Sequence, residues 1–203
     1  YKQSATGESM ELDQYKDLLL NAFIILTPLV FYSFVLRIKD RPWLRAVFVF
    51  LLFVGPLLFT MSFPVRLFST ILDLRAIPLI LGSLYGGMGT AVLMFGAIVL
   101  YRQVIGGIPL LHVAVSMVPT FLAIWYVMDR YPRKRLLNKM LTVIILCLFM
   151  RMTVSAYYYL SGLSDTIQSL LPSVPDIAAQ SCLTAFCVYI LEAIRRNHQL
   201  KEE

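Results

Sequence analysis

Apolar runs of about twenty residues, repeated along almost the whole chain, limit what this sequence can fold into more than any other feature. A helix needs about 20 mostly apolar residues to cross the hydrocarbon core of a bilayer. Tyr15–Leu36, Pro42–Thr60, Leu110–Met128, Leu137–Leu160 and Ile177–Ile194 meet that requirement. Between them, Leu67 to Ile105 is long enough for two spans but is broken at Tyr85-Gly86-Gly87-Met88-Gly89, where glycine permits a tight turn. It divides into Leu67–Leu84 and Thr90–Ile105, and Gly106-Gly107-Ile108-Pro109 makes the following turn. The expected fold is all-α: a polytopic transmembrane helical bundle of about seven spans, or six if the segments around Gly86 and Gly87 are broken or re-entrant.

Composition agrees. Apolar residues are 59% of the 203 and charged residues 15%, against roughly 45–50% and 25% in soluble domains. The surplus needs a lipid-facing surface. A net charge of +6 could mean nucleic acid, but the basic residues flank the apolar runs, so the expected partner is a lipid bilayer and no nucleic acid. Cys147, Cys182 and Cys187 lie inside apolar runs, where they act as small hydrophobes; no disulfide framework or zinc spacing is present. Residues 1–9 are small and polar and read as an appended leader ahead of a natural start at Met10. Residues 10–196 then form the membrane domain, and 197–203 begin a cytoplasmic helix.

Basic residues also set an orientation. If the C-terminus is cytoplasmic, twelve lie inside: Arg37, Lys39, Arg41 and Arg45; Arg130, Arg133, Lys134, Arg135 and Lys139; and Arg195, Arg196 and Lys201. Only Lys2, Lys16 and Arg66 fall outside. The N-terminus is therefore expected outside.

Three arginines remain within expected spans: Arg75, Arg102 and Arg151. A charge there is costly unless it faces the bundle interior and finds a partner. At about 1.5 Å per residue, Arg102 lies roughly 6 Å below the outer loop, Arg75 roughly 12 Å below the start of its span and Arg151 roughly 15 Å below Ser161. All three fall in the outer half. Asp73 is the acidic residue at comparable depth, Asp176 stands at the mouth of the last span, and Gln180 follows one turn below it. One carboxylate cannot neutralise three guanidiniums, whose forks match carboxylate or phosphate. A small anionic ligand, such as a carboxylate, entering from outside is the expected occupant. A structural reading stands beside this one: an Asp73–Arg75 pair, Arg102 snorkelling to the interface and Arg151 bonding carbonyls.

The same residues carry a resemblance. Asp73-Leu74-Arg75-Ala76-Ile77-Pro78, then Leu81-Gly82-Ser83-Leu84-Tyr85-Gly86-Gly87, then Tyr101-Arg102-Gln103-Val104-Ile105-Gly106-Gly107 together resemble the LytS/YhcK-type (LYT) multi-span transmembrane receptor family. The ends are similar to the membrane region of KinB-type sporulation sensor kinases. The resemblance implies a sensor placed before a histidine kinase or diguanylate cyclase module, with a homodimer formed through that output region. Some relatives are thought to sense small carboxylates. Asp73, Arg75 and Arg102 match the family's charged positions, and Gly86, Gly87, Gly106 and Gly107 its turn glycines. Arg151 rests on depth alone.

Leu191 to Glu203 favours helix and has no Gly or Pro stop. It fits either a helix continuing into a signalling coiled coil or a charged tail. Chemistry in the chain itself is not expected: the two histidines, His112 and His198, cannot form a His-x-x-x-His site, and there is no nucleophile elbow, intramembrane aspartate pair or phosphate loop. No catalytic, metal or cofactor site is expected. His112 reads as interfacial packing or a ligand contact, and Tyr157-Tyr158-Tyr159 as an interfacial belt with one ring inward. Pro28, Pro56, Pro78 and Pro119 fall mid-span and should kink their helices. Two functions compete: a membrane sensor domain of a signal-transduction protein relaying through its last helix, and the substrate-binding membrane subunit of a small-molecule importer.

Overall fold

A computed structural model describes residues 2–38, 41–63, 65–67, 70–72, 74–105, 110–162 and 174–201. The helices are α1 (Lys2–Leu36), α2 (Pro42–Ser62), α3 (Ala76–Gly86), α4 (Met88–Ile105), α5 (Leu110–Met128), α6 (Leu136–Leu160) and α7 (Val174–Leu200). A short 3-10 turn, Tyr131–Arg133, links α5 to α6. Strands β1 (Val65–Leu67) and β2 (Thr70–Leu72) pair antiparallel, with Val65 opposite Leu72, Arg66 opposite Ile71 and Leu67 opposite Thr70.

Six of the helices are long and apolar enough to cross a membrane, so the chain is a multi-pass membrane protein. The six form a ring: α1 packs on α2, α2 on α4, α4 on α5, α5 on α6, α6 on α7, and α7 back on α1. Inside it stands α3, touching α2, α4, α5 and α6. A helix apolar on every side must be buried on every side, and Ala76 through Tyr85 are all buried. The ring helices instead show large apolar side chains outward, among them Phe23, Val30, Leu51, Leu100, Leu122 and Ile145, which is the surface lipid requires.

The expected span Leu67–Leu84 is thus two things, the β-hairpin and an 11-residue helix about 16 Å long. The β-branched residues Val65, Thr70 and Ile71 favour extended backbone, and the hairpin packs against α1 and α7. Pro78 consequently falls in the first turn of α3, where no intrahelical N–H is lost, and does not kink a span. Pro28, Pro56 and Pro119 do lie inside helices.

Where α3 meets α4, Gly87 has φ +83° and ψ −173°, a conformation open essentially to glycine alone. A Cβ on Gly86 would lie 2.6 Å from Thr90 Cβ. Thr90 Oγ1 in turn donates to Ala46 O at 3.0 Å, fastening this turn to the start of α2. Several hydroxyls inside the bundle bond back to their own helix, as Ser83 Oγ does to Leu79 O at 2.7 Å and Ser116 Oγ to Val113 O at 2.9 Å. Because successive elements alternate in direction, Arg37, Arg45, Arg130, Lys139 and Arg195 gather at one end of the bundle, the basic end. The β-hairpin marks the other.

Candidate functional site

Two rows of buried residues face along α6 and α7. On α6 the row is Lys139, Val143, Cys147 and Arg151; on α7 it is Glu192, Val188, Thr184 and Gln180. All are buried except Glu192, whose side chain is 18% exposed. Residues four apart share a helix face, so each row is one ridge. Two contacts fix how the ridges meet. Lys139 Nζ lies 2.7 Å from Glu192 Oε2, and Cys147 Sγ lies 4.0 Å from Thr184 Oγ1. One turn beyond that second contact, the same register brings Arg151 and Gln180 to the same level, about 18 Å from the ion pair toward the hairpin end.

Arg75 is the residue before α3, half-buried, and Arg102 is half-buried in the last turn of α4. By helical rise they stand about 17 Å and about 21 Å from the α3–α4 turn, in the same half of the bundle as Arg151. None of the three arginines, nor Gln180, is without a partner. Asp73 lies outside the described residues, and so does the Asp176 side chain, in the first turn of α7. Since α3 starts at Ala76, helical spacing does not relate Asp73 to Arg75. At the same end Ser62 Oγ and Tyr101 OH are hydrogen-bonded, and His112 Nδ1 lies 2.9 Å from Tyr157 OH, the bond running from α5 to α6. Tyr157 is half-buried and Tyr159 exposed, while the Tyr158 side chain lies outside the described residues.

The family model described as the 5TMR of 5TMR-LYT matches residues 29–194. The chain belongs to that family. No curated protein and no solved structure matches the chain. As a 5TMR-LYT domain it is a transmembrane sensory module and not itself catalytic. The matched residues contain Arg75, Arg102, Arg151 and Gln180, the α3–α4 glycines and the Lys139–Glu192 pair.

The 5TMR-LYT domain also holds a polar cluster at its basic end that the sequence did not announce. Tyr85 OH donates to Glu192 Oε1 at 2.9 Å, and Tyr131 OH donates to Tyr85 OH at 3.3 Å. The rings of Tyr32, Tyr85 and Tyr131 meet edge to face, at 5.8 Å and 5.7 Å between centroids. Lys139 Nζ sits 5.7 Å from the centre of the Tyr131 ring. Burial pushes the Tyr131 phenol above its ordinary value and keeps it a neutral donor. Glu192 thus receives one bond on each oxygen, tying α3, α6, α7 and the 3-10 turn together. One signal could have found it: Glu192 is an acidic residue inside the apolar run Ile177–Ile194, and such a residue needs a partner.

Proposed function

We propose that this domain is the membrane sensor of a bacterial signal-transduction protein, with a histidine kinase as its output. In this reading its basic end faces the cytoplasm and its N-terminus lies outside, as the distribution of basic residues favours. A small anion such as a carboxylate enters the hairpin-end half and meets Arg75, Arg102 and Arg151. Gln180 contributes a polar contact, and Asp73 and Asp176 belong to the same site by their place in the chain. Dimerisation occurs through the output region, and the domain takes no cofactor and no nucleic acid.

The observation that carries this reading is the pair of ridges on α6 and α7. The same two helices hold Arg151 and Gln180 at one end and Lys139 and Glu192 at the other, and α7 continues as helix to Leu200. A ligand that pulls on Arg151 or Gln180 therefore acts on the helix that leaves the bundle toward the output. A ligand shifts such an equilibrium only by its different affinities for two helix arrangements, and coupling of about 1–3 kcal/mol is typical.

The test uses the full-length protein in liposomes. Adding a panel of small carboxylates to the outer face should change autophosphorylation for at least one of them, and Arg102→Gln should abolish that response. A response unchanged in the variant, or no response to any carboxylate, would remove the reading.

A further inference from the structure

A cavity of about 350 Å³ opens at the basic end, lined by Tyr32, Arg45, Tyr85, Gly87, Tyr131 and Arg195 among others. Its chemistry is unbalanced. Arg45 comes from the first turn of α2 and Arg195 from α7, both half-buried. Among the described residues neither has a carboxylate within ion-pair distance. Glu192, which lies within electrostatic reach of Tyr32, is committed on both oxygens, to Tyr85 and to Lys139. Lys139 and Glu192 cancel, so among the described residues the cavity keeps an excess of two positive charges from its two guanidiniums.

The third observation is the Tyr32 hydroxyl. Tyr32 is 0% exposed and lines the cavity. The Arg45 guanidinium stands near enough to donate toward its oxygen, with Arg195 a further electrostatic neighbour, but no acceptor in hydrogen-bonding geometry takes the hydroxyl proton. A buried donor without an acceptor costs free energy, and most such groups in folded proteins are satisfied. An oxyanion placed between the two guanidiniums would accept from that hydroxyl. The start of α4 beside Gly87 adds the positive end of a helix dipole.

We propose that this cavity is a second anion site, distinct from the hairpin-end arginines, and that it takes a phosphate group. Two guanidiniums call for two negative charges, which a phosphate monoester supplies and a carboxylate does not. Guanidinium forks and a hydroxyl also match a tetrahedral oxyanion. The group would bridge Arg45 on α2 to Arg195 on α7, one turn past Glu192, and so hold the emerging end of α7 against the bundle. Its source is either a soluble phosphate compound or the monoester headgroup of a lipid such as phosphatidic acid, since the cavity opens at the end of a membrane bundle. The proposal does not depend on the function assigned to the hairpin-end arginines.

The test uses purified protein in a neutral detergent, and the same protein in nanodiscs of phosphatidylcholine with and without phosphatidic acid. Inorganic phosphate is the soluble probe, with chloride at equal ionic strength as the control. A melting-temperature rise with inorganic phosphate in detergent identifies a soluble ligand; a rise confined to phosphatidic acid nanodiscs identifies a lipid headgroup. In either arm Arg45→Gln and Arg195→Gln should each weaken the effect about tenfold or more, with Arg45→Lys intermediate. Should the glutamine variants fail to fold, Tyr32→Phe decides the matter. It removes only a hydroxyl whose proton has no acceptor, so the melting temperature in chloride should hold or rise while the phosphate effect weakens. If neither probe stabilises the parent, or if Tyr32→Phe and the foldable arginine variants respond as the parent does, the site does not exist.

Discussion

Lys139 Nζ lies 2.7 Å from Glu192 Oε2, joining the first turn of α6 to α7 about three turns from Arg151 and Gln180. The pair is largely buried, with side-chain exposures of 6% and 18%, so removing one partner strands the other. Lys139→Met should cost about 3 kcal/mol. Lys139→Met combined with Glu192→Gln keeps an acceptor for Tyr85 and leaves no charge, and should restore more than half of that loss. Denaturation of both single variants and the double variant in detergent checks this; losses that simply add in the double variant would mean that the pair is not coupled.

The α3–α4 turn makes a second prediction. Gly87→Ala forces a side chain into a backbone conformation that costs about 1–3 kcal/mol, and Gly86→Ala drives a Cβ into Thr90. Gly89→Ala meets nothing within 4 Å and exchanges glycine for the best helix former. Melting temperatures should fall for the first two and hold or rise for the third. A loss at Gly89 equal to that at Gly87 would refute the backbone argument.

Alkaline pH should weaken the basic end. Burial raises the Tyr131 phenol in the folded state above its ordinary value near 10. The unfolded chain therefore releases its proton first. Stability is intact below about pH 10 and falls as pH rises above it. Tyr131→Phe should make the melting temperature less sensitive to pH across about 9 to 11. The same slope in parent and variant would place the titration elsewhere.

Much of this was legible in the sequence. The expected span Leu110–Met128 has the bounds of α5, and Pro42–Thr60 and Leu137–Leu160 differ from α2 and α6 by a residue or two. Long apolar runs report helices because nothing else satisfies backbone groups in lipid. Leu67–Leu84 misled for the complementary reason. Apolar character shows that a segment is shielded from water but not whether lipid or protein shields it, and short runs do not separate helix from strand. Val65 to Leu72 pairs as a hairpin, and α3 is enclosed by other helices. The basic-end cluster was hidden differently. Lys139 read as one more topological charge, and its partner Glu192 lies 53 residues away, a separation no local pattern reveals. For the proposed hairpin-end site, sequence supplied Arg75, Arg102, Arg151 and Gln180, while the pairing of the α6 and α7 ridges needed the fold.

Orientation is open to a direct check. A reporter inserted after Arg135, at the basic end, should be cytoplasmic, and one at Gly162, beyond α6 at the opposite end, should be outside. Gly162 is exposed and a Cβ there meets nothing within 4 Å, so insertion should be tolerated. A cytoplasmic Gly162 would reverse the bundle and put the hairpin-end arginines on the wrong side for an external ligand.

The central claim, that the hairpin-end arginines receive a small anion, is tested most directly by ligand-induced stabilisation of purified Arg102→Gln protein. The parent, screened against small carboxylates, should gain several degrees with at least one of them. The variant should melt within about 4 °C of the parent in the absence of ligand, a difference of roughly 1 kcal/mol for a chain of this size, and should lose the gain that the carboxylate gives. If Arg102→Gln is stabilised as strongly as the parent, or does not fold at all, Arg102 is a structural residue and the sensing site lies elsewhere in the bundle.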